Sequence, residues 1–255
     1  MSKADVRPLD RPDPTELERF RSMAARWWDP NGPLRPLHLM NPTRLDWLLR
    51  QARAHLPVAT GRRLLSGLAV LDVGCGGGLL AEPLARLGGA VVAVDPEPAN
   101  IEVARRHAAD AELAVDYRAC TLEEVVAEGR RFDLVTALEV IEHVPDPAAF
   151  ARGLAAAARP GGLVVLSTLS RTFSAWVQAI VAAEYLLGWL PPGTHRWQKF
   201  LKPAELARHL RAGGLRPVGL TGLAYDPAYA RFTTCREPSV NYMLAAVRDA
   251  SGAAA

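Results

Sequence analysis

Cysteine is scarce in this 255-residue chain: Cys75, Cys120 and Cys235 are an odd number with no close pair. Neither a disulfide framework nor a cysteine zinc site is expected. An excess of one charge is missing as well, since 30 Lys+Arg stand against 27 Asp+Glu and no basic block concentrates the difference of +3. No nucleic-acid partner is expected. The opening stretch MSKADVRPLDRPDP has no apolar run of the kind a secretory signal needs, and a reducing cytoplasm is the expected location. Internal repeats are absent, and the short alanine-rich end from Ala250 to Ala255 is the one low-complexity tract. What the chain does have is bulk, with 49% apolar and 22% charged residues. That composition excludes intrinsic disorder as the main state and suits a domain with a core of its own.

Residues 1–12 read as a tail and 13–66 as a helical cap, with helices over Asp13–Trp28 and Pro42–His55. After Gly67 the texture changes. Apolar runs over 68–73, 90–95, 113–117, 132–138 and 163–168 alternate with helical stretches of about ten residues, and strands near 216–224 and 240–247 follow. Strands alternating with helices imply an α/β chain with a doubly wound, mostly parallel seven-stranded sheet. The runs are continuous rather than alternating, as expected when helices cover both faces. One domain is therefore expected over 67–248, with an inserted apolar helix inside 170–202 and a tail over 249–255.

Where the first strand hands over to the first helix the chain reads Leu71-Asp-Val-Gly-Cys-Gly-Gly-Gly78. Glycines there let a ligand approach the backbone. Asp95 ends the second strand 21 residues after Gly74, where a carboxylate suits both hydroxyls of a ribose. A redox dinucleotide is the rival ligand. Its fingerprint, however, needs a third glycine at position 79, which is Leu79. Asp72, two residues before Gly74 and followed by Gly76, favours a ligand carrying an ammonium group over a pyrophosphate. The indicated ligand is S-adenosylmethionine.

A second cluster, Ala137-Leu-Glu-Val-Ile-Glu-His-Val-Pro-Asp146, follows the fourth strand. Leu138 is placed to pack on an adenine. On a helical turn Glu139, Glu142 and His143 would share one face. They would then hold a hard divalent cation such as Mg2+ or supply a base, with His143 and Glu142 both candidates for the catalytic role. From Thr172 to Thr194 only Glu184 is charged. Glu184, Gly188 and the Pro191-Pro192 pair argue against a membrane span. A core helix, a membrane-contacting lid and a dimer face all remain open for this stretch; Arg171, Arg196, Lys199 and Lys202 flank it and suit anionic headgroups.

The Asp-x-Gly-x-Gly loop, Asp95 and Arg159-Pro-Gly-Gly162 resemble the class I S-adenosylmethionine-dependent methyltransferases, whose fold is Rossmann-like. More specific segments resemble the ubiquinone-biosynthesis O-methyltransferases. They are Arg26-Trp-Trp-Asp29, Pro36-Leu-His38, Asn41-Pro42 with Arg44, Glu142-His-Val-Pro-Asp-Pro147, Gly193-Thr-His195 and Val240-Asn-Tyr-Met-Leu244. The resemblance implies transfer of a methyl group to polyprenyl-hydroxyphenol and demethylubiquinol. It implies cofactor contacts at Arg44 (holding the methionine carboxylate), Gly74, Asp95 and Leu138, and a metal at Glu139, Glu142 and His143. It also implies peripheral association with an anionic membrane surface and contact with other quinone-biosynthesis enzymes. A methyltransferase for another small phenol and a catalytically silent cofactor-binding module are the alternatives.

Overall fold

The computed structural model describes residues 21, 23–175 and 197–249. The expected tails and most of the Thr172–Thr194 stretch, with Trp176, Glu184 and Trp189, lie outside them. Five parallel strands form one half of the sheet: β1 (Ala69–Val73), β2 (Ala90–Val94), β3 (Asp116–Arg118), β4 (Phe132–Leu138) and β5 (Ala158–Leu169). The other half is β6 (Leu215–Asp226), β7 (Arg231–Cys235) and β8 (Asn241–Arg248), added antiparallel to one another and, through β8, to β5. The order is β3-β2-β1-β4-β5-β8-β6-β7, eight strands rather than the expected seven. The extra one is β7, a short edge strand whose Arg-Phe-Thr-Thr-Cys sequence carries no apolar run.

Alternation along each strand feeds two cores. Leu71 and Val73 point to a layer containing α4 (Leu122–Ala127), α5 (Pro147–Ala157) and α6 (Pro203–Ala212), packing with Val125, Phe150, Leu154, Leu206 and Leu210. Val70 points the other way, toward α1 (Arg35–His55), α2 (Ala81–Arg86) and α3 (Pro98–Asp110), through Trp47, Leu48, Leu84, Ile101 and Ala104. Helix α4 opens on a capping box between Thr121 and Glu124.

Two helix expectations needed correcting. Helix α1 begins at Arg35, seven residues before Pro42, because Pro36 takes the first turn where its missing N–H costs nothing, and Pro42 is then carried inside the helix. Of the expected helix over Asp13–Trp28, residues 13–20 and 22 lie outside the described residues and Arg21 and Met23 are helical. The chain then narrows to a 3-10 turn at Ala24–Arg26 and leaves helical structure before Asp29-Pro30, where a residue ahead of proline disfavours helical backbone. Strand order reverses between β1 and β4, so a crevice opens at the carboxyl ends of β1, β2 and β4.

Candidate active site

The glycine loop is stitched to the end of β2. Gly74 and Cys75 both donate their N–H to the Val94 carbonyl, at 2.8 and 3.0 Å, and Gly76 donates to Asp95 Oδ2 at 3.0 Å. Gly74 (φ 68°) and Gly76 (φ 53°) hold left-handed backbone. A Cβ on Gly74 would fall 2.4 Å from Val140 Cγ2, and one on Gly76 would fall 1.9 Å from the Trp27 ring. The space over Gly76 therefore belongs to an indole from the N-terminal segment.

The two aspartates that bracket the loop differ in what they have left to offer. Asp95 accepts from Gly76 N–H, from Glu97 N–H (2.9 Å) and from the Asn100 amide (3.2 Å). Three of its roughly four acceptor positions are taken. Burial pushes its carboxyl up to about 6, against those hydrogen bonds. Asp95 thus ties the loop down. Asp72 accepts on Oδ1 from Thr136 Oγ1 (2.7 Å), while its Oδ2 is buried with no partner. Burial, with the nearby Asp95 charge adding to it, raises the Asp72 carboxyl to about 7.

Across the crevice α1 delivers Arg44, 3% exposed. Its Nη2 donates to Glu139 Oε1 at 2.6 Å, and its Nε is buried without a partner. Glu139 directly follows β4 and has left-handed backbone (φ 56°). Ser167 Oγ donates to it at 2.6 Å and Asn241 Nδ2 reaches both oxygens at 3.1 and 3.0 Å. Leu138, half-buried at the end of β4, packs with the layer that contains α1.

Glu139, Glu142 and His143 do not share a helical face, because the positive φ at Glu139 breaks the turn there and residues 141–143 form a turn rather than a helix. Glu139 joins Ser167 and Asn241 on one side of the sheet. Glu142 is 3% exposed, and its nearest charged neighbours are Glu139 and His143. Both its oxygens are buried without hydrogen-bond partners, as is the hydroxyl of Thr168 on the opposite strand face from Ser167. Burial raises its carboxyl to about 7 and Glu139 adds to the rise, while His143, the local backbone N–H and the neighbouring Thr168 hydroxyl oppose it.

Among the described residues no three His, Cys, Asp or Glu side chains converge in a way that would hold a metal ion. Glu139 already accepts from Arg44, Ser167 and Asn241 and is turned away from Glu142, so these residues as arranged do not fit Mg2+. A methionine zwitterion fits better: Asp72 Oδ2 is a spare buried acceptor for an ammonium, and Arg44 Nε a spare buried donor for a carboxylate.

Thr136, Ser167, Asn241 and Trp27 were not singled out as site residues by sequence reasoning. Thr136 and Ser167 had a local signal, each a hydroxyl inside the apolar run of its strand, after Leu134 and Val135 in β4 and after Val165 and Leu166 in β5.

A methyltransferase domain family matches residues 52–220. The ubiquinone biosynthesis O-methyltransferase of Methylobacterium sp. (strain 4-46) is 51% identical over 94% of this chain and 96% of its own. That of Parvibaculum lavamentivorans is 47% identical over 96% and 98%. Among solved structures, magnesium protoporphyrin IX methyltransferase from Synechocystis PCC 6803 with bound S-adenosylhomocysteine has the same fold, with a TM-score of 0.63 at 22% identity, covering 92% of this chain and 95% of that one. A spacing of glycines and acids, a sheet reversing at β1 and β4, and near full-length identity to those relatives converge on one conclusion: the chain belongs to the S-adenosylmethionine-dependent methyltransferases, in the family of ubiquinone biosynthesis O-methyltransferases.

Proposed function

We propose that the chain methylates phenolic hydroxyls of polyprenyl-hydroxyphenol and demethylubiquinol, the substrates its sequence resemblance implies. The observation that carries the cofactor half of this reading is the pair of buried, unpartnered, opposite-character atoms, Asp72 Oδ2 and Arg44 Nε. Bound S-adenosylmethionine supplies an electrophilic methyl group on a sulfonium. Arg44 would take the methionine carboxylate, Asp72 the ammonium, Asp95 a ribose hydroxyl through its remaining lone pair, and Leu138 the adenine, while Gly74 and Gly76, packed against Val140 and Trp27, give the loop the turn that brings these groups together.

The acceptor needs a base. A phenol titrates near 10, so about one molecule in 10³ is ionised at pH 7, a deficit of about 4 kcal/mol. Glu142 fits that role, since a buried carboxyl faced only by the Thr168 hydroxyl and raised to about 7 is poised to take a proton at neutral pH. The His143 imidazole beside it favours the ionised form of Glu142. A positioned base contributes typically 10²–10⁴, which covers the deficit. Holding oxygen and methyl at near-attack distance supplies the remainder.

A polyprenyl tail asks for an apolar entrance. Among the described residues no helix is long and apolar enough to cross a membrane. Support for surface contact comes from the apolar run of Thr172–Thr194 and from Phe173 at its start, 75% exposed. Arg171, however, is ion-paired to Glu205, which reduces its share in headgroup attraction. Purified protein incubated with labelled methyl donor and short-chain demethylubiquinol is expected to transfer label to the quinol. It is also expected to co-sediment with anionic vesicles. No transfer would end the substrate reading, and no co-sedimentation the membrane reading.

A further inference from the structure

Two adjacent tryptophans lie on the glycine loop, and only one has a partner for its indole N–H. Trp28 Nε1 donates to the Gly77 carbonyl at 2.9 Å, and its ring stacks on His107 with centroids 3.5 Å apart and planes within 1°. His107 in turn bonds the buried Glu82 at 2.6 Å. Trp28 is thus fully accounted for as an anchor. Trp27 is 6% exposed and its Nε1 is buried with no partner.

The ring of Trp27 is not free to turn its donor elsewhere. The Trp27 carbonyl is held by His38 Nε2 at 2.9 Å, and the following residue is pinned by Trp28. A Cβ on Gly77 would lie 2.3 Å from Trp27 Cδ1, and one on Gly76 2.8 Å from Cε2. The ring atoms nearest those positions are Cγ at 2.2 Å and Cζ2 at 1.9 Å, so the indole lies along the loop with Nε1 between its contacts with Gly77 and Gly76. Asp95, the nearby acceptor, is already occupied by Gly76, Glu97 and Asn100. A buried donor without a partner is uncommon and costly unless something supplies an acceptor.

We propose that Trp27 is a cofactor-contact residue, closing the glycine loop from above and donating its indole N–H to an oxygen of the bound sulfonium nucleoside. The inference rests on the cofactor reading of the loop given above. It accounts for the Arg26-Trp-Trp-Asp29 segment, in which one tryptophan anchors the strap and the other faces the ligand.

Trp27→Phe keeps the aromatic face and removes the N–H. Calorimetric titration with S-adenosylhomocysteine is expected to show an affinity roughly tenfold weaker than wild type, the loss of one hydrogen bond to a charged or strongly polar oxygen. The ligand-free variant should melt at the wild-type temperature or above, because an unsatisfied donor has been removed. Affinity within twofold of wild type overturns the proposal. So does a fall in the ligand-free melting temperature alongside the affinity, since that marks a structural role only. If the wild-type protein itself does not bind S-adenosylhomocysteine, the reading of the loop fails, an outcome separate from failure of the Trp27 assignment.

Discussion

Asn241 gives both contacts of its side-chain nitrogen to Glu139, at 3.1 and 3.0 Å, across 102 residues of chain. The carboxylate fixes which end of the amide faces it, since only the NH₂ end can donate. The Asn241 oxygen consequently points away and is buried without a partner. Glu139 gathers Arg44, Ser167 and Asn241 around one charge. Its work is positioning, and the group most exposed to its loss is the Arg44 guanidinium.

Replacing Glu139 with Gln should therefore act on cofactor binding before chemistry. Arg44 would keep a hydrogen-bond acceptor but lose its counter-charge in a buried site. Glu139→Ala would leave that charge with no partner, a change that typically costs about 3–5 kcal/mol of stability. Calorimetry is expected to show S-adenosylhomocysteine affinity falling for Glu139→Gln, and denaturant titration a large stability loss for Glu139→Ala. Unchanged affinity in the first variant would show that Arg44 does not depend on this pairing.

Asp72 makes the protein sensitive to pH in a definite direction. Its carboxyl rises from 3.8 to about 7 on folding, so between those values the folded state holds a proton that the unfolded state has released. Stability therefore falls as pH rises through that window. Asp95 and Glu142, raised to about 6 and about 7, act in the same sense. The ligand-free protein is expected to melt lower at pH 8 than at pH 5. Asp72→Asn should flatten that slope, and saturation with S-adenosylhomocysteine should also flatten it by giving the ionised carboxylate an ammonium partner. A slope of the opposite sign would show that these carboxyls are solvated.

Glu142→Gln isolates the base. Turnover with a short-chain quinol should drop by about 10²–10⁴ while S-adenosylhomocysteine affinity holds. The rise of wild-type turnover with pH near 7 should vanish in the variant. The variant should also be at least as stable as wild type at pH 8, because a buried charge has been removed. Wild-type turnover would assign the proton to another group.

Much of this architecture was legible in the chain. The Leu71–Gly78 loop announces itself because its signals are local: an apolar run, an acid, and glycines where backbone turns left-handed. Strands β2 and β4 follow from short-range patterns in the same way. What stayed hidden depends on contacts distant in sequence. Nothing in Leu-Glu-Val-Ile-Glu-His says that Glu139 will take left-handed backbone and separate from Glu142. The pull comes from Ser167 on β5 and Asn241 on β8, strands that are side by side only in the folded sheet. The hold of Asp95 on the loop was likewise invisible, because Gly76 donates to it from another strand's end, 19 residues away. Strand β7 escaped notice because an edge strand facing solvent needs no apolar run.

That edge strand has a mechanical consequence. Thr43, the neighbour of Arg44, donates its hydroxyl to the Phe232 carbonyl in β7 at 2.7 Å. The helix bearing the guanidinium is thus moored to the outermost rung of the sheet. A disturbance in the hairpin that joins β6 to β7 will tug on the cofactor clamp through this tether, giving the periphery of the molecule a handle on its centre.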